Sequence, residues 1–134
     1  LGGQIYSNDI IIDNLSYNET TGEVLGFRRS ILFDTYANLL TTLSSLTVGG
    51  FTGWTMGSDK DYISISKTDD FADRPLNYAP LNNSTGSTLY TGTENGTLGN
   101  VIFNTIPFSI SAQGLTASRM CHPMRVFTWN GTKM

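Results

Sequence analysis

The sequence predicts an α+β fold on three observations. A β-branched opening run turns back on itself through a polar cluster. Apolar residues then recur at helical spacing. The last third alternates short β-rich runs with turn signals. Strands, then two helices, then strands is the order expected of an α+β domain.

Ile5 to Leu15 is rich in isoleucine and bounded by Asn and Asp, so it reads as a strand. The cluster from Tyr17 to Glu23 is a turn, and Val24 to Phe27 is a short returning strand, making a hairpin. Phe33, Tyr36, Ala37, Leu40, Leu43 and Leu46, widened by Leu39, predict an amphipathic helix over 32–46 with Asp34 in its first turn. Gly49-Gly50 stop it. The stretch Gly49 to Trp54 is a turn that returns Trp54, with Phe51, to the core. Ser58 followed by Asp61 is a capping-box variant opening a second short helix with Tyr62, Ile63 and Ile65. Residues 69–88, with Pro75, Pro80 and paired asparagines, read as a long irregular loop, a kind of segment that often carries function. Turn signals follow at 94–97, 98–100 and 112–114, with strands at 101–103, 106–110 and 124–129.

Size and charge narrow the function classes. A chain of 134 residues with no internal break is expected to form a single domain. Because it opens on Leu1 and not Met, it is expected to be the C-terminal part of a longer chain. Charged residues are only 14%, while Thr, Gly, Ser and Asn supply 56 of the 134 positions, so the surface is built for neutral hydrogen bonds. A net charge of −3 with scattered Lys and Arg gives no patch for phosphate backbones, so no nucleic-acid partner is expected. No apolar run is long enough to insert in a bilayer. A single cysteine, Cys121, excludes an internal disulfide and reads as a small buried hydrophobe.

From Gly49-Gly-Phe-Thr-Gly-Trp54 outward, the order of features resembles the Lcl C-terminal domain family (DUF1566), which has a C-type-lectin-like fold. The matching series is Asp13-Asn14-Leu15, the helix at 32–46, the Gly49–Trp54 turn, the helix after Ser58, Leu89-Tyr90-Thr91, and Cys121-His-Pro-Met-Arg125-Val126, together covering residues 8–127. Two departures stand out: Thr55-Met-Gly57 follows the Trp where the family has Arg-Leu-Pro, and His122 replaces a terminal Arg. The resemblance implies two helices packed on a small, twisted, mostly antiparallel sheet with long irregular loops. It also implies a display-and-binding role, as in bacterial surface adhesins and phage receptor-binding proteins. Formylglycine-generating enzymes share the broader fold but rely on paired cysteines, which this chain lacks.

Catalytic constellations are thin. The one histidine, His122, precedes Pro123 in a strand, where Cys121 would face the opposite side, an awkward arrangement for a nucleophile and its base. The acids Asp59, Asp61, Asp69, Asp70 and Asp73 match no calcium-loop spacing, so no cofactor is expected; calcium is the one cation such an acidic stretch suits. The chain is therefore expected to be non-catalytic. Aromatic rings beside amides are the stronger pattern, since both suit sugars and protein epitopes. They place the ligand-binding face at Asn77, Tyr78, Asn82, Asn83, Tyr90, Glu94, Asn95 and Asn104. The expected partner is a host-surface glycan or protein receptor, met outside the cell from a virion tail or bacterial surface. A homotrimer formed through an upstream stalk is compatible with this. A structural module that oligomerises or caps a fibre is the alternative.

Overall fold

The computed structural model describes residues 9–66, 88–95, 97–103 and 109–129. The long loop read at 69–88 lies almost wholly outside them. Nine strands and two helices are described: β1 (Ile10–Asp13), β2 (Glu23–Arg28), β3 (Leu32–Asp34), α1 (Tyr36–Ser45), β4 (Thr55–Met56), α2 (Asp59–Ser66), β5 (Thr88–Asn95), β6 (Leu98–Phe103), β7 (Ser109–Gln113), β8 (Arg119–Cys121) and β9 (Pro123–Thr128). The α+β class holds. The expectation of one sheet does not: the strands form two, ordered β1-β2-β9-β4 and β3-β8-β5-β6-β7. Every pairing is antiparallel except β5 with β8.

Side-chain alternation along β1 explains how both sheets are covered. Ile10 and Ile12 join one apolar cluster, with Tyr36, Leu39 and Leu43 of α1, Trp54, Tyr90, Val101, Cys121 and Phe127. Ile11, between them in sequence, joins the other, with Tyr62 and Ile65 of α2, Phe27, Leu89, Ile102, Met120 and Met124. Successive strand residues point to opposite faces, so α1 and α2 cover opposite sides of the paired strands. That is why β1 is an unbroken run of buried residues.

The first helix is shorter than its periodicity predicts. Leu32–Asp34 pair with Cys121, Met120 and Arg119 as an edge strand. Thr35 is the cap, its side chain accepting from the Asn38 amide, so Asp34 lies ahead of the first turn and not in it. Phe33 and Leu40, expected on the buried face, are exposed; the buried stripe is Tyr36, Leu39 and Leu43. The second helix opens as expected: Ser58 Oγ accepts from the Asp61 amide at 3.2 Å, and the Asp61 carboxylate accepts from the Ser58 amide at 2.9 Å. Val48 and Phe51 exchange two backbone hydrogen bonds across Gly49-Gly50, both with positive φ, the conformation a two-residue hairpin turn demands. Trp54 returns to the core and donates from Nε1 to the Phe51 carbonyl at 2.9 Å.

The two sheets meet in one bent ribbon. Strands β2 and β9 pair in the first sheet up to Phe27 and Met124, and β3 and β8 pair in the second from Leu32 and Cys121. Four residues, 28–31, thus lie opposite two, 122 and 123, and unequal strand lengths of this kind bend a ribbon. Asp9 gathers the surplus: its carboxylate accepts from the Ser30 amide (2.9 Å), the Ser30 hydroxyl (2.7 Å) and Arg28 Nε (3.1 Å), and its carbonyl from the Arg29 amide. On the short side the Tyr62 hydroxyl accepts from the His122 amide at 3.0 Å and donates to the His122 carbonyl at 3.2 Å. One phenol on α2 therefore satisfies both backbone groups of the residue at which the chain changes sheet. Replacing it by Tyr62→Phe leaves a buried N–H and C=O without that partner, and is expected to cost about 2–3 kcal/mol, measured by equilibrium denaturation of the two proteins.

Candidate binding face

Of the sequence-predicted face, Tyr90, Glu94 and Asn95 lie among the described residues, all on β5, which forms a hairpin with β6. In β5, Tyr90 pairs with Val101 and Glu94 with Gly99, so Thr91, Gly92 and Thr93 bulge opposite the single residue Asn100. The bulge is bonded on both sides. Thr91 Oγ1 donates to the Asn100 carbonyl at 2.9 Å and accepts from the Thr93 amide at 3.2 Å. The Gly92 amide donates to the Gly57 carbonyl at 2.9 Å. The Asp59 carboxylate, at the start of α2, accepts from Asn100 Nδ2 at 3.0 Å and from the Thr93 hydroxyl at 3.3 Å. One residue further, Glu94 accepts from the Tyr36 hydroxyl of α1 at 3.3 Å. Burial, and then the nearby Glu94 carboxylate, raise the Tyr36 phenol above its ordinary pKa, so it stays a donor.

The residues expected to touch ligand separate on this frame. Glu94 is exposed near the hairpin tip, and Asn95 closes β5 opposite Leu98. Tyr90 belongs to the core instead: it is fully buried, packed edge-on against Tyr36 at 5.4 Å, with its hydroxyl on the Ala117 carbonyl and Arg119 over its ring. Its place in β5 points it at α1, so it supports the face from beneath. Asn77, Tyr78, Asn82, Asn83 and Asn104 lie outside the described residues. Asp59, Thr93 and Asn100 join the face without having been singled out for it. Leu98-Gly-Asn100 reads locally as a turn, yet it opens β6. The signal that marks the site is Thr91-Gly-Thr93, small residues interrupting a strand where a second backbone comes close.

The titratable interior is committed to structure. Cys121 is buried, and burial pushes its thiol up to about 12, far from a thiolate at neutral pH. Burial lowers His122 to about 4, and its Nδ1 lies 2.9 Å from the Arg28 carbonyl, so the ring is neutral with the proton on Nδ1. Asp13 is buried where β1 ends, its carboxylate accepting from Ser64 Oγ at 2.6 Å and from the Leu15 amide at 3.1 Å; burial raises its pKa in spite of both. Among the described residues no three His, Cys, Asp or Glu side chains gather as metal ligands. Asp59 and Asp61 are occupied by the hairpin and the helix cap, while Asp69, Asp70 and Asp73 lie outside the described residues. No helix among the described residues is long and apolar enough to cross a membrane.

No family model matches the chain, and no curated protein matches it.

Two measurements follow from this geometry. Unfolded histidine takes up a proton near pH 6.5, whereas folded His122 resists until about pH 4. Its contribution to stability is therefore complete above pH 6.5 and disappears as the pH falls to 4, an effect on the order of 3 kcal/mol. Asp13 has the opposite sign, since a raised carboxyl pKa favours folding at low pH. The comparison is thus between the wild type and His122→Asn, which keeps a donor for the Arg28 carbonyl but cannot titrate. The acid limb of denaturation midpoint against pH is expected to flatten in the variant. Separately, a Cβ at Gly92 would lie 2.7 Å from the Met56 carbonyl oxygen. Gly92→Ala is expected to cost about 1–3 kcal/mol and to shift the amide resonances of β5 and β4.

Proposed function

We propose that the chain is a non-catalytic, lectin-like domain that binds a receptor or glycan, displayed on a phage tail-fibre tip or a bacterial surface, with a C-type-lectin-like fold akin to the Lcl C-terminal domain family. The observation that carries this reading is the β5–β6 hairpin. There Thr93, Glu94 and Asn100 are held between the two helices by Asp59 and Tyr36, while the buried thiol, imidazole and carboxylate of the interior are spent on structure. Hydroxyls, an amide and one exposed carboxylate on a rigid hairpin suit a neutral, hydroxyl-rich ligand or a polar protein epitope. The low-charge surface agrees with this. So do the placement of one helix on each side of the strands, the return of Trp54 to the core and the Ser58 cap, each in its place in the motif series.

One observation favours the alternative of an oligomerisation or capping module. Phe33 is 65% exposed on β3, which forms an edge of the five-stranded sheet. An aromatic on an edge strand is a ready contact for another chain.

A glycan array together with binding to whole bacterial cells tests the recognition reading. Binding is expected, weakened about tenfold by Glu94→Ala, the loss of one hydrogen bond to a charged group. Blank results from folded protein, with light scattering showing a tight oligomer that Phe33→Ser dissociates, would favour the module instead.

A further inference from the structure

On the four-stranded sheet, away from the β5–β6 hairpin, a shallow cleft of about 290 Å³ is lined by Ser16, Asn18, Glu23, Val24, Leu25 and Val126. Its floor is aliphatic. Leu25 of β2 stands directly opposite Val126 of β9, so the two side chains lie side by side on one face, and Val126 is 46% exposed. Its wall is held firmly. Ser16 Oγ donates to the Asp13 carbonyl at 2.7 Å and accepts from the Leu25 amide at 2.8 Å, fixing the 3-10 turn at Asn14–Ser16 against β2. Asn18 Oδ1 accepts from the amides of Thr20 (2.9 Å) and Thr21 (3.3 Å), which fixes the side-chain amide and leaves Nδ2 as a donor. The Glu23 carboxylate is exposed and makes no ion pair or hydrogen bond with the described residues, although its backbone is anchored in β2.

Among the described residues, the lining thus combines an apolar floor, a fixed amide donor and a carboxylate without a partner, with no cationic side chain. A carboxylate without a cation repels phosphorylated, sulfated and carboxylated ligands, and a lone acid is too little for a hard cation. The volume lies just under the range of roughly 300–1,000 Å³ for drug-sized ligands, which limits the occupant to about one ring. A ligand with one C–H face for Leu25 and Val126 and neighbouring hydroxyls for Glu23 and Asn18 matches these groups. We infer that this cleft binds a neutral monosaccharide unit of a glycan. The inference rests on the recognition reading above but moves sugar contact to a second place, on the other sheet.

The test is titration of the folded, isotope-labelled chain with methyl glucoside, methyl mannoside, methyl galactoside, N-acetylglucosamine and glucose 6-phosphate, followed by backbone amide resonances. At least one neutral sugar is expected to shift amides of residues 16–25 and 126, and glucose 6-phosphate to bind more weakly than methyl glucoside. Glu23→Gln and Asn18→Asp are each expected to weaken binding about tenfold, while Glu19→Gln leaves it unchanged. Unchanged amide dispersion in each variant shows that the fold is intact. Neutral sugars that shift only amides of residues 88–103 would overturn the cleft and leave the recognition reading standing. So would glycan-array binding without any shift at 16–25. No shift with any sugar, together with a blank array and no cell binding, would overturn both. Glucose 6-phosphate binding as well as methyl glucoside does would overturn the assignment to neutral sugars.

Discussion

The architecture depends on the bend in one ribbon. Strands β2 and β3 run against β8 and β9, but the pairing changes sheet midway, with four residues on one side facing two on the other. A bend of this kind exposes backbone groups that a straight ladder would satisfy, and buried groups left unpaired are costly. Here a carboxylate takes the long side and a phenol takes the short side. Burial holds the Tyr62 phenol well above its ordinary pKa, so it can accept from one backbone group of His122 and donate to the other at once. The His122 imidazole then reaches across the ribbon to the Arg28 carbonyl, joining the two strands where each leaves its first sheet.

That bend accounts for much of what the sequence conceals. The helical spacing from Phe33 onward is real, yet its first members are drawn into strand β3 because Leu32–Asp34 find partners on β8. Pairing across the fold outweighs local periodicity there, and it leaves Phe33 outside. Elements whose determinants are local were legible: the glycine pair of the Val48–Phe51 hairpin, the reciprocal cap at Ser58 and Asp61, and the β1–β2 return. The division into two sheets was not, because nothing near His122 in sequence announces that a tyrosine sixty residues earlier will bond its backbone.

The candidate face shows the same division. Glu94 was legible from composition, as an acid beside Asn-Gly in a turn-rich stretch. Tyr90 was grouped with the face as an aromatic beside amides, but alternation in β5 sends it inward, and register could not be known before β6 and β8 were in place. Asn100 and Asp59 are forty-one residues apart, and their hydrogen bond exists only because the β5 bulge sits on the start of α2. Contacts of that separation are products of the folded chain.

The lone thiol has a consequence for how such a domain can be made. Cys121 lies sealed in the core, beneath the sheet-changing residue, and it is the only sulfhydryl in the sequence. Neither glutathione nor an oxidase has anything to act on while the chain is folded. No internal disulfide can form within this sequence, so its fold requires no oxidising compartment and is not undone by a reducing one.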